Sequence, residues 1–137
     1  MENIFLRFLS GAVLLTLAAS ANAQMAINGN VPESIIDGVK SLRIESISLS
    51  QKILTVVYTD EKINEMMATS VADAVCEARF NGSPKLSKDT LNKVVVINHW
   101  KMQGFSFAID ASVCDEYGKT SGEESNSFIK NLMTTYP

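Results

Sequence analysis

Read for the spacing of its apolar positions, the chain after its first two dozen residues follows the order α-β-β-α-β-β-α. Leu42 and Ile44 alternate with Arg43 and Glu45, as in a strand with one buried face. The phase then slips, and Ile47 and Leu49 become the apolar members, which predicts a bulge or strand end near Ser46. The run Ile53-Leu54-Thr55-Val56-Val57-Tyr58 is apolar on both faces and rich in β-branched residues, the composition of a central strand. Ser48 to Gln51 joins the two as a hairpin.

The longest periodic stretch is Glu61 to Phe80. Ile63, Met66, Met67, Val71, Ala74, Val75 and Ala78 recur at three- and four-residue intervals and predict one buried helical stripe. Asp60 offers an N-cap and Asn81-Gly82 a stop. Cys76 falls nearly opposite the centre of that stripe, beside Ala72, Arg79 and Phe80, at about 100° per residue. A crosslink from Cys76 therefore ties another segment across the outer or lateral face of the helix, away from its sheet-facing side.

The remaining elements are shorter. Val31-Pro32-Glu33-Ser34 opens a brief helix, since Pro is tolerated in the first turn. Val94 to Trp100 forms a third strand, and Met102-Gln103-Gly104 turns the chain. Phe105, Phe107, Ile109 and Ala111 alternate with Ser106, Ala108 and Asp110 as a fourth strand. Cys114 then leads into an acidic loop, Asp115-Glu116-Tyr117-Gly118. Ser121 and Glu124 have capping-box spacing for a C-terminal helix whose apolar face is Phe128, Ile129, Leu132 and Met133. The fold class expected is α+β: a two-layer sandwich of about four antiparallel strands in two hairpins, with one long helix and a C-terminal helix on one face.

The leader changes where this domain is expected to work. Phe8 to Ala19 is an apolar run behind a short head, and Ala21-Asn22-Ala23 is a small-x-small site before Gln24. This is the layout of a cleavable signal peptide over 1–23, followed by a single globular domain over 24–137. An uncleaved anchor is the competing reading, because a bilayer span takes about 20 residues. The small-residue ending favours cleavage, and the Ala-rich style points to export into a Gram-negative periplasm. No later stretch is long enough to span a membrane, so no membrane association is expected after cleavage.

A net charge of −3 argues against a nucleic-acid partner, which calls for a basic surface. The two cysteines, Cys76 and Cys114, survive cleavage and in an oxidising compartment read as one disulfide. A redox pair would stand two residues apart, and a metal site would want more ligands than the single His99 adds. No metal, cofactor or catalytic residues are assigned. His99 has no nucleophile in a recognisable setting, and the acidic residues from Asp110 to Glu116 lack calcium-loop spacing.

The expectation is a small secreted, non-catalytic protein that binds another protein: an inhibitor, an immunity-type protein or an envelope accessory factor. Trp100, Asp115, Glu116 and Tyr117 are the candidate contact residues, and the acidic ones suit a partner with a basic patch. The alternative is a small apolar-ligand-binding module with a pocket lined by Phe105, Phe107 and Met66.

Overall fold

The computed structural model describes residues 24–137; the predicted signal peptide lies outside the described residues. The fold is α+β, with a six-stranded mixed sheet and four helices. The strands are β1 (Ala26–Asn28), β2 (Ile44–Ser50), β3 (Ile53–Tyr58), β4 (Lys93–Ile97), β5 (Gly104–Phe107) and β6 (Met133–Tyr136). Helices α1 (Glu33–Val39), α2 (Glu65–Asn81), α3 (Ala111–Tyr117) and α4 (Glu123–Asn131) fall between them. The strands lie side by side in chain order from β1 to β6.

Both expected hairpins form, β2 with β3 and β4 with β5, and the register of the first shifts between Ile44 and Ser46 where the apolar phase slips. The purely antiparallel, four-stranded sheet is corrected. β3 runs parallel to β4, and β1 parallel to β2. Parallel neighbours need a crossover, supplied by α1 between β1 and β2 and by α2 between β3 and β4. Short strands β1 and β6 extend the two edges. The C-terminal helix stops at Asn131, so Met133 opens β6 instead of closing the helical stripe.

Alternation along β3 and β4 divides the sheet into two faces. Leu54 and Val56 of β3, with Val94 and Val96 of β4, are sealed in one core with Ile47, Phe107 and apolar residues from all four helices. Val57, Val95 and Ile97 form a separate small cluster on the other face, flanked by Ile53 and Tyr136. Across this second face the registers align Ser48, Thr55, Val95, Ser106 and Thr134 in a row with no charged member.

Helix α2 begins four residues later than expected. Asn64, not Asp60, caps it by accepting a hydrogen bond from the Met67 amide at 2.9 Å. Asp60 is engaged elsewhere, and Ile63 drops into the core just before the cap. Of the two methionines placed in the stripe, Met67 packs against the core, whereas Met66 is 75 % exposed.

The segment after Cys114 is helix, not loop. Asp110 caps α3 by accepting from the Val113 amide, and Asp115, Glu116 and Tyr117 form its last turn. Cys76 and Cys114 are bonded, joining α2 to α3. Ala68, Val71, Ala72, Val75, Cys76 and Ala78 form one continuous buried arc, rotated from the expected stripe so that Cys76 lies at its edge and Met66 outside it. The bond joins helix to helix within the main core, since both cysteines cluster with Leu54, Val56 and Phe107; the expectation of a crosslink away from the sheet-facing core is corrected.

Reducing the bond, or making Cys76→Ser, is expected to remove about 4 kcal/mol, the loop-entropy value for a closed segment of this length. Denaturant unfolding of the oxidised and reduced protein checks it; coincident midpoints would show that the bond carries no stability.

Candidate functional site: a pinned apolar knuckle

The chain leaves β4 at Ile97 and returns into β5 at Gly104, and the six residues between are held by two amide side chains. Asn98 is 4 % exposed, so its polar atoms must find partners inside the protein. Its Oδ1 accepts from the amides of Met102 (2.9 Å) and Gln103 (3.1 Å), and its Nδ2 donates to the Glu61 carbonyl (2.7 Å). Gln103 holds the Ile63 backbone at both ends: its Oε1 accepts from the amide (2.8 Å), and its Nε2 donates to the carbonyl (2.9 Å). The His99 amide donates to the Asp60 carbonyl at 2.8 Å.

The segment is therefore fastened to the connection between β3 and α2 at three points. Lys101 turns it with a positive φ of 58°. Gly104 ends it where β5 lies so close to β4 that a Cβ would overlap the Val96 carbonyl.

This fastening holds two large apolar side chains in water. Trp100 is 58 % exposed and Met102 73 %. Trp100 rests edge-on against the His99 ring, with centroids 4.6 Å apart. His99 in turn meets Glu45 through Nδ1 at 2.8 Å from Oε1. Glu45 sits in the irregular stretch of β2, so the bulge aims its carboxylate at the knuckle. Beside it Arg43 pairs with Asp60 at 2.8 Å. Among the described residues no group of three or more His, Cys, Asp or Glu is arranged to hold a metal ion.

The other sequence-derived contact residues lie elsewhere. α3 starts from the end of the sheet opposite the β4–β5 knuckle, so Asp115, Glu116 and Tyr117 do not join Trp100 in one surface. Each also has an internal partner. Arg79 donates to Asp115 at 3.0 Å and holds its carboxyl below the usual carboxylate range. Glu116 accepts from Lys119 at 2.9 Å. The Tyr117 hydroxyl donates to Asp73 at 3.1 Å; burial, reinforced by that carboxylate, pushes its pKa up to about 12. The acidic segment is thus largely balanced within the molecule. Phe105, Phe107 and Met66 do not share a pocket: Phe107 borders a hollow beside β5 and β6, and Met66 lines a groove against α4.

No family model, curated protein or solved structure matches this chain. The knuckle therefore stands on its own geometry. Sequence reasoning identified Trp100 and missed Met102, Asn98, Gln103 and Glu45. A signal was present, since two carboxamides flanking four residues and followed by Gly suit a closed, hydrogen-bonded loop better than a strand end.

Asn98→Ala is expected to destabilise the fold by about 1–3 kcal/mol, because two part-buried amides and a carbonyl lose their partner. It should also shift Trp100 fluorescence in the native baseline. Denaturant unfolding followed by that fluorescence measures both, and an unchanged midpoint would show that water replaces the side chain without loss.

Proposed function

We propose that the protein is a small exported, non-catalytic module that acts by holding another protein, with the Asn98–Gln103 knuckle as its anchor. The observation that carries this reading is the combination of exposure with preorganisation. Trp100 and Met102 stand in water on a backbone already fixed by Asn98 and Gln103. A fixed loop loses little further entropy on association, so the apolar area of the two side chains goes into affinity. Trp is enriched among the residues that dominate interface energetics.

Export to the periplasm fits the leader, and the buried crosslink is compatible with an oxidising compartment. An inhibitor, an immunity-type protein or an envelope accessory factor each suits these features. The partner surface best matched to the knuckle is an apolar cleft. A basic patch matches less well, because the acidic residues of α3 already face Arg79 and Lys119.

The test places a photo-crosslinking residue at Met102, or at the exposed Ser112 of α3, in the protein expressed in its native cells. One discrete adduct from position 102, absent from position 112, is expected. Adding Trp100→Ala should reduce its yield at least about tenfold, the loss typical of an interface hot spot. Equal adducts at both positions, or an adduct indifferent to Trp100→Ala, would overturn the reading.

A further inference from the structure

A second concave feature lies apart from the knuckle, between the first half of α2 and the length of α4. It encloses about 470 Å³, and its lining includes Met66, Thr69, Asp73, Asn126, Ile129 and Lys130. That volume falls in the range of small-molecule sites, roughly 300–1,000 Å³.

The chemistry of the lining is uneven. Met66, 75 % exposed, supplies an apolar shelf, and Ile129 lies buried beneath the floor. Asp73 is half-buried, and among the described residues no basic side chain forms a salt bridge with it; the paired carboxylates are Asp37, Glu45, Asp60, Asp115 and Glu116. Among the described residues its one side-chain hydrogen-bond partner is the Tyr117 hydroxyl, a neutral donor. Burial raises the pKa of Asp73, and nearby Glu77 adds to the rise. An ionised carboxylate in that position lacks the positive charge that ordinarily offsets desolvation. Glu65 also lines the groove, so its two carboxylates against the one ammonium of Lys130 leave a negative charge.

We propose that this groove is a binding site for a small organic ammonium ion with an apolar body, its charged head on Asp73 and its body against Met66. The incoming cation supplies the missing partner of Asp73 through a charge-assisted hydrogen bond, while Tyr117 fixes the orientation of the carboxylate. The competing account is that Asp73 serves only to hold Tyr117. The two accounts differ for Asp73→Asn, because an Asn carbonyl still accepts from the Tyr117 hydroxyl but carries no charge.

The experiment titrates the protein with 2-phenylethylammonium, with the uncharged 2-phenylethanol and with 3-phenylpropionate, following backbone amide NMR shifts. Saturable shifts confined to residues 64–73 and 126–130 are expected with the ammonium compound. The alcohol should bind at least about tenfold more weakly, as expected when a charge-assisted contact is lost. The carboxylate compound should leave the groove unperturbed.

Asp73→Asn should abolish the preference for the ammonium while leaving the melting temperature equal or higher. The sign follows from the raised pKa: the folded state binds the proton more tightly than the unfolded chain, so the ionised charge opposes folding at neutral pH. Met66→Ala, at an exposed position, should weaken the ammonium several-fold and keeps the test open if the Asn variant folds poorly. Equal binding of alcohol and ammonium, absence of saturable shifts in the groove, or undiminished ammonium affinity in either variant would overturn the proposal.

Discussion

The parallel pairing of β3 with β4 obliges the chain between Tyr58 and Lys93 to travel back along the sheet before it can re-enter, and α2 is that return path. Because a single helix makes the crossing, its sequence must satisfy the sheet on one side and the remaining helices on another. Val71, Val75 and Ala78 run on into Ala72 and Cys76 as one wide buried arc. Polar residues at its edge and its end meet α3, Asp73 through Tyr117 and Arg79 through Asp115. Tyr58 fastens the start of the path by donating its hydroxyl to the Met67 carbonyl at 2.7 Å.

The same connection explains why the knuckle is rigid. The residues from Asp60 to Ile63 have left β3 but have not yet entered α2, so neither element pairs their backbone groups. Asn98 and Gln103 satisfy the Glu61 and Ile63 groups and in doing so shape their own loop. Neighbouring strand ends of a parallel pair thus solve each other's hydrogen-bonding problem, and Trp100 and Met102 project from the joint.

The core elements were legible from periodicity because they are long enough to show it. The two hairpins, the irregularity near Ser46, the long helix and the pairing of the two cysteines could all be read from the sequence, whereas the face of α2 turned to the core could not, because small residues (Ala68, Ala72) carry it. Strand direction could not, since β3 and β4 have the same apolar pattern whether they run parallel or antiparallel. β1 and β6, with three and four residues, are too short to display a period, and edge pairing draws on backbone groups that any sequence carries. α3 was hidden by its charges: Asp115 and Glu116 suggest a solvated loop until Asp110 is seen as the cap and Arg79 as a partner. At the site, the exposed Trp100 was the visible part. The amides that fix it looked like ordinary polar residues because their partners lie about forty positions away.

Burial of both sulfurs gives the crosslink a further property. Cys76 and Cys114 have no exposed surface, so an attacking thiolate cannot reach either atom while α3 is seated on α2. Exchange must wait for a local opening of the packing around the still-bonded pair, one that loosens the Arg79–Asp115 and Tyr117–Asp73 contacts. The lifetime of the bond against reductant is then a clock for one local excursion of the fold, and the chemistry of the bond itself becomes secondary.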